Sequence, residues 1–292
     1  MTPRSLLFVP ADQPAKISKA VAAGADAVIL DLEDSVAPAR KAAAREQAAA
    51  ALSARSDDGP QLWVRINPLN GPHALHDLVA VVATRPHAVV LPKAEGAASV
   101  RQLGHYLDAL EAAAGFEAGA IQILPIATET PGAVLNLSSY AHAPARLAGL
   151  TWGAEDLPAA LGAATAREPG GGYTAPYELA RSLCLFAAGA ARTPAIETIY
   201  PDYRDLDGLT AYASRACRDG FSGMMAIHPA QIEAIHRSFA PTDEQVAQAR
   251  RIVALFAAAP QGALGLDGRM LDAPHLRQAQ AILDRAARPS PK

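Results

Sequence analysis

The chain has 292 residues, half of them hydrophobic, and a net charge of −3 with no long run of one sign. So balanced a charge argues against a nucleic-acid or membrane-surface role, and no apolar stretch approaches the roughly 18 uncharged residues that span a bilayer. The length suits one large α/β domain or two ordinary ones.

In chain order, MTPRSLLFVPADQP opens with an apolar run that Pro10 and Asp12 interrupt before a signal-peptide core can form, so a soluble cytoplasmic protein is expected. Apolar, β-type runs then recur at 5–10, 27–33, 61–67, 88–94, 121–129, 146–153, 195–201 and 224–229. Helical patterns with spacing near 3.6 separate them, among them PAKISKAVAAGA, RKAAAREQAAAAL and SVRQLGHYLDALEAA. Cys184 and Cys217 are far apart in helical contexts and read as buried thiols, neither a disulfide nor a metal pair.

Continuous apolar strands suit a parallel sheet covered on both faces. Eight β-then-α units, with no Gly-rich dinucleotide fingerprint after the first strand, favour an α/β (β/α)8 TIM barrel over a doubly wound open sheet. The barrel is expected over residues 1–240. Residues 241–292, with the helical pattern TDEQVAQARRIVALFAAA and a turn-rich stretch leading to another amphipathic helix, exceed what a barrel needs. They form a C-terminal helical extension that packs on the barrel or reaches a neighbour. The Gly/Pro segment AREPGGGYTAPYE (166–178) reads as a mobile lid or a disordered loop; its glycines lack the spacing of a phosphate fingerprint.

Barrel chemistry sits at the C-terminal strand ends. Those ends carry Asp31, Glu33 and Asp34; Arg65 and Asn67; Lys93 and Glu95; Glu129; Glu155 and Asp156; Asp202; and His228, which are expected to converge on one mouth. The stretch VILDLEDSVAP places three carboxylates directly after a buried strand, which is costly unless a cation or donors satisfy them.

Hard oxygen donors without a His or Cys cluster favour Mg²⁺ over zinc. Arg65 suits a substrate carboxylate or an oxyanion, or else pairs with a neighbouring acid. A metal, an arginine and several acids suit enolate chemistry. Lys93 is a Schiff-base candidate only in principle, because an acid-rich mouth keeps its amine protonated. His228 reads as a hydrogen-bonding scaffold residue more than as a catalyst.

These motifs carry a resemblance. RSLLFVPADQPAKISKA, DAVILDLEDSVAPARKAAAR, WVRIN, LPKAE, ETPGAVLN, LTWGAEDLPAALG, GFSGMMAIHPAQI and GRMLDAPHLRQAQAIL run in order from residue 4 to 283. The chain resembles the citrate lyase β-subunit-like and malyl-CoA lyase family of the HpcH/HpaI aldolase–citrate lyase superfamily, metal-dependent barrels that split or join C–C bonds beside acyl thioesters.

The resemblance implies roles at matching positions. Glu129 and Asp156 would bind Mg²⁺, with Mn²⁺ as a substitute, and Arg65 would hold substrate and stabilise the enolate oxygen. Phe8 and Lys19 would contact the coenzyme A moiety. Asp272 would act as acid/base in a neighbouring subunit's site, within a homo-oligomer such as a trimer or hexamer. Asp31, Glu33, Asp34, Lys93, Glu155 and His228 would form the outer layer around these groups.

The implied activity is cleavage of a malyl-, citramalyl- or citryl-CoA-type thioester to acetyl-CoA and a 2-oxo acid. A malyl-CoA thioesterase, a CoA-independent 2-keto-acid aldolase and the β-subunit of a multi-protein citrate lyase acting on an acyl carrier protein are the alternatives. Three positions depart from the family pattern. Gln13 stands where an arginine is usual, Glu197 where an aspartate is usual, and Pro131 is added beside Glu129.

Overall fold

The computed structural model describes residues 2–258 and 262–287. Ala259, which closes the expected TDEQVAQARRIVALFAAA helix, and the terminal RPSPK lie outside the described residues. Contacts divide the chain into two compact units, Met1–Ile235 and His236–Lys292.

The first unit is a (β/α)8 barrel. Its strands are β1 (Ser5–Pro10), β2 (Ala27–Asp31), β3 (Gln61–Arg65), β4 (Ala88–Leu91), β5 (Gln122–Pro125), β6 (Leu150–Thr151), β7 (Ala195–Glu197) and β8 (Gly223–Ala226). They pair in the order β5-β4-β3-β2-β1-β8-β7-β6. The ring closes between β5 and β6 through parallel bridges Ile123↔Leu147 and Ile126↔Thr151. Side chains such as Leu6, Ile29, Trp63, Val90, Leu124 and Ile196 fill its interior. Both faces of each strand are covered, which is why the strands read as continuous apolar runs.

Helices α1 (Pro14–Val21), α2 (Lys41–Ser53), α3 (Ala74–Val81), α4 (Ala97–Ala113), α5 (Pro131–Leu135), α6 (Asp156–Leu161), α7 (Ala175–Ala190) and α8 (Leu206–Asp219) follow their strands. The buried stripe of α4, Val100, Leu103 and Leu107, shows the period that identified it. Cys184 on α7 is buried and Cys217 on α8 is only half-buried. No helix among the described residues is long and apolar enough to cross a membrane.

Apart from β1, which matches its run, the strands are shorter than their apolar runs, and carboxylates explain several of the stops. β2 ends at Asp31 instead of Glu33 because Asp31 Oδ1 accepts from Glu33 N (2.9 Å) and its Oδ2 from Ser35 N (3.2 Å). β3 ends at Arg65 instead of Asn67, whose N–H goes to Asp77 Oδ2 at 2.8 Å. Past β4, Pro92 has no N–H and the Lys93 N–H goes to the Glu129 carboxylate. β7 stops at Glu197 because the side chain of Glu197 takes the Thr198 N–H at 2.9 Å. β6 shrinks to two residues after Gly149, where a Cβ would lie 2.8 Å from the Pro194 carbonyl.

Segment 166–178, expected as a mobile lid or a disordered loop, adopts a closed turn leading into α7. Arg167 and Tyr173 form an antiparallel bridge, Glu168 N donates to Gly172 O (2.8 Å), and α7 already begins at Ala175. The Arg167 guanidinium lies 3.7 Å from the Tyr173 ring centre, and Tyr173 meets Trp152 edge-on.

Helix α9 (Ile232–Phe239) crosses the boundary between the units. The second unit contains α10 (Asp243–Ala258) and α11 (Ala273–Ala286), packed on each other, with a hairpin of β9 (Leu264–Leu266) and β10 (Arg269–Leu271) between them in sequence. The extension is therefore not purely helical. Asp267 and Gly268 both have positive φ (51° and 76°), the two-residue turn that an Asp-Gly pair favours.

Candidate active site

The C-terminal strand ends surround a cavity of about 360 Å³, within the range of small-molecule clefts. Its floor is the top layer of the barrel core, including Ile126 and Met225, and its polar wall holds Asp31, Asp34, Arg65, Glu129, Glu155 and Asp156.

Arg65 ends β3 directly beside Asp31 of the paired strand. Its Nε and NH2 donate to the two Asp31 oxygens, both at 2.7 Å, and its NH1 lies 3.0 Å from Glu33 Oε2. The guanidinium stacks over Phe8, 4.8 Å from the ring centre. Burial opposes ionisation of Asp31, but the Arg65 hydrogen bonds and charge prevail and hold it below the usual carboxylate range. Burial dominates at Glu33, whose carboxyl is pushed up despite Arg65 and Lys93. Arg65 is thus fixed in orientation by two acids while still lining the cavity, so the pairing with neighbouring acids does not remove it from the cavity wall.

Lys93 joins the remaining acids. Its ammonium is 2.6 Å from Glu33 Oε1, 3.6 Å from Asp156 Oδ1 and 3.7 Å from Asp34 Oδ2. Burial works against its charge, yet the Glu33 hydrogen bond and surrounding carboxylates raise its pKa well above that of a free lysine. That amine is a poor nucleophile. Its backbone sits at φ 51°, a left-handed conformation that costs energy for a side-chain-bearing residue.

Glu129 follows β5 and is buried. Burial pushes its carboxyl up to about 8; the Lys93 N–H opposes the shift, and the charges of Asp156 and Glu33 add to it. Asp156 opens α6 and lines the same cavity, half exposed. These two carboxylates line one cavity and are hard oxygen donors, the ligand type that could hold Mg²⁺. Among the described residues no group of three or more His, Cys, Asp or Glu is arranged to hold a metal. Two protein ligands with waters and substrate oxygens completing the shell is the usual arrangement for Mg²⁺.

The other strand-end residues do not all converge. Asn67, Glu95, Asp202 and His228 are absent from the cavity wall. Glu95 accepts from Thr130 Oγ1 (2.8 Å) and Asp202 from Arg204 N (3.1 Å), so both work locally. His228 caps the turn Pro229–Gln231, accepting from Ala230 N at 3.1 Å, and stacks on Tyr203. Phe8 lines the cavity, whereas Lys19 is exposed on the last turn of α1 and does not. Asp272, in the second unit, caps α11 and lies 2.6 Å from His275 Nδ1.

Two contributors were missed from the sequence. Gly153 lets β6 approach Glu129: an added Cβ would stand 2.5 Å from Glu129 Cγ, and the motif WGAED marks its place. Lys41 is buried beneath the β2 loop. It is in helical phase with the buried Ala44, Ala48 and Leu52 of α2, a signal that the Ala-rich composition hides. Glu197, the departure from the expected aspartate, is fully buried and accepts from Trp152 Nε1, Arg181 Nε (2.7 Å) and Tyr212 OH (2.9 Å).

Residues 4–229 match the model of the HpcH/HpaI aldolase/citrate lyase family. The chain is 38% identical to the citrate lyase subunit beta of Haemophilus influenzae, covering 97% of this chain and 96% of that one. It is 31% identical to the L-malyl-CoA/beta-methylmalyl-CoA lyase of Cereibacter sphaeroides, over 97% and 94%. The crystal structure of CitE from Mycobacterium tuberculosis in complex with magnesium, acetoacetate and coenzyme A superimposes with a TM-score of 0.80. It is 35% identical and covers 98% of this chain and 99% of that one.

Proposed function

Because the chain belongs to the HpcH/HpaI aldolase/citrate lyase family of lyases, we propose that it is a Mg²⁺-dependent carbon–carbon lyase acting on a 3-hydroxyacyl-CoA. Its substrate is a thioester of the malyl-, citramalyl- or citryl-CoA type, cleaved to acetyl-CoA and a 2-oxo acid. The observation that carries this reading is the pairing of Glu129 and Asp156 with a fixed arginine in one cavity. The magnesium and coenzyme A bound by the CitE relative support it.

Glu129 and Asp156 would hold the metal, which when bound supplies Lewis-acid polarisation of a hydroxyl or carbonyl oxygen. Arg65 has N–H donors left over after pairing with Asp31 and Glu33. It donates to the thioester oxygen as that oxygen gains charge when the C–C bond breaks. Asp31 and Glu33 keep the guanidinium from swinging, and Phe8 shields its face from water. Asp272, delivered by a second copy of the chain, exchanges a proton with the carbon that was bonded to the 2-oxo acid portion. The functional protein on this reading is a homo-oligomer, and Lys19 contributes to the coenzyme A contact outside the cavity.

The test is a Mg²⁺-dependent assay over malyl-, citramalyl- and citryl-CoA with product identification. Glyoxylate, pyruvate or oxaloacetate together with acetyl-CoA supports the lyase. Free hydroxy acid with CoA marks a thioesterase, and no turnover of any thioester overturns the reading.

A further inference from the structure

Beneath the β2 loop lies a polar cluster that takes no part in the chemistry above. The Lys41 ammonium, on the first turn of α2, donates to Leu32 O (2.7 Å), Glu33 O (2.7 Å) and Asn67 Oδ1 (2.8 Å). All three ammonium N–H groups are therefore used, on a residue that is itself buried. Asn67 stands two residues beyond Arg65 and donates its Nδ2 to the same Leu32 carbonyl (2.9 Å) and to Asp77 Oδ2 (2.6 Å). Asp77 in turn is held by Arg45 Nε at 2.7 Å, one turn along α2 from Lys41.

Two arms of the site meet on this one ammonium. One is the Asp31–Asp34 loop, whose Glu33 faces Arg65 and Lys93. The other is the segment just after β3, which fixes where Arg65 leaves the sheet. Adjacent carbonyls of Leu32 and Glu33 aimed at a single point also fix the backbone that sets the direction of the Glu33 side chain. A neutral side chain of the same length fills the space but donates nothing: Asn67 Oδ1 loses its Lys41 donor, Leu32 O keeps only Asn67 Nδ2 and Glu33 O only the Val36 N–H, so the tie between the loop and the end of β3 is cut. The cation also sits in the field of Asp31, Glu33, Asp34 and Asp77, where it offsets the repulsion within the acid run.

We propose that Lys41 is the positioning residue for Arg65: it ties the Asp31–Asp34 loop to the end of β3 so that Asp31 and Glu33 hold the guanidinium in its working orientation. In kinetic terms this rests on the reading of the cavity as a lyase site. A spectroscopic measurement keeps the two separable.

The experiment compares wild type with Lys41→Met and Asn67→Ala in the full-length protein. The side-chain Nε–H resonance of Arg65 is assigned as the one lost in Arg65→Lys. In folded Lys41→Met that resonance is expected to shift or broaden while the Nε–H signals of Arg146 and Arg181 stay in place. On the best thioester substrate, kcat is expected to fall about 10–100-fold, as for an ångström-scale misplacement, while KM changes less than threefold. Mg²⁺ affinity by calorimetry should also change less than threefold, because Glu129 and Asp156 lie on other elements. Asn67→Ala, which leaves the ammonium on its two carbonyls, should show a smaller shift and loss in the same direction, and it decides the matter if Lys41→Met does not fold.

An unmoved Arg65 resonance with kcat within twofold, in whichever variant folds, overturns the proposal. A shifted resonance in a protein that cleaves none of the thioesters refutes the lyase reading alone.

Discussion

The backbone N–H of Lys93 donates to the Glu129 carboxylate from a residue held in a left-handed turn (φ 51°). The same residue sends its ammonium to Glu33 and toward Asp156. One strained residue thus serves three acids around a carboxyl that burial and its neighbours push up to about 8. Strain and like-charge crowding at one point mark a site selected for chemistry over stability.

Glu129→Gln keeps the acceptor for the Lys93 N–H and removes the crowded charge. Mg²⁺ binding by calorimetry is expected to be lost and cleavage to fall at least about 100-fold, while the melting temperature of the metal-free protein is expected to hold or rise. A variant that still binds Mg²⁺ with wild-type affinity sinks the assignment of Glu129 as ligand.

Arg65→Lys retains a positive charge but loses the two-nitrogen grip on Asp31. Loss of a fixed donor to a developing oxyanion costs about 10²–10³ in kcat, and that range is expected here with the fold retained by circular dichroism. Unchanged turnover removes Arg65 from the reaction.

Gly153→Ala inserts a methyl 2.5 Å from Glu129 Cγ and 3.1 Å from Ile126 Cγ2. The backbone of Gly153 does not need positive φ, so the effect is steric, mainly on Glu129 with a lesser push on Ile126. A fall of about 100-fold in cleavage, with weakened Mg²⁺ binding, is expected. Wild-type metal affinity in this variant contradicts the packing argument.

Asp272→Asn preserves the helix cap, since asparagine caps as well as aspartate. Stability is expected within about 0.5 kcal/mol of wild type, whereas kcat should drop about 10²–10⁴-fold if the carboxyl exchanges the proton. Mixing this variant with Glu129→Gln tests delivery by a second copy. Mixed oligomers pair an intact Glu129 with an intact Asp272, so partial activity is expected to return; none returns if Asp272 serves its own chain.

Away from the cavity, Glu111 and Arg146 form a buried pair, with Arg146 NH2 2.6 Å from Glu111 Oε2. Burial opposes the Glu111 charge, but the Arg146 hydrogen bonds and the N–H groups of Ile121 and Gly119 prevail and depress its pKa. The folded state therefore holds its proton less tightly than the unfolded state. The stabilisation is present above about pH 4.5 and is lost as pH falls through the depressed value. Glu111→Gln should lose roughly 3–5 kcal/mol at neutral pH and show a flatter acid limb in urea melts between pH 5 and 3. Parallel acid limbs in the two proteins exclude the pair as a source of acid sensitivity.

The barrel was legible because each strand is buried on both faces and so writes itself as an uninterrupted apolar run. Strand ends were overread for a related reason. The apolar pattern continues through Leu32 and Ile66, but side-chain carboxylates capture the next N–H groups, at Glu33 and Asn67. The hairpin of the C-terminal unit was written in Asp267-Gly268 and overlooked beside the helical pattern that follows.

Residue types and order alone determined that carboxylates and one arginine collect at the strand ends, since the alternation of strand and helix sends every such end to the same rim. The sequence also carried the family motifs around Glu129 and Asp156. Which acid faces which cation was decided only by tertiary structure. Asp31 grips Arg65 because β2 and β3 pair in register there, and Lys41 reaches the Leu32 and Glu33 carbonyls because α2 turns that residue inward with Ala44, Ala48 and Leu52. Distances of 2.7 Å between groups 34 residues apart depend on strand register and helix rotation, which no local pattern encodes.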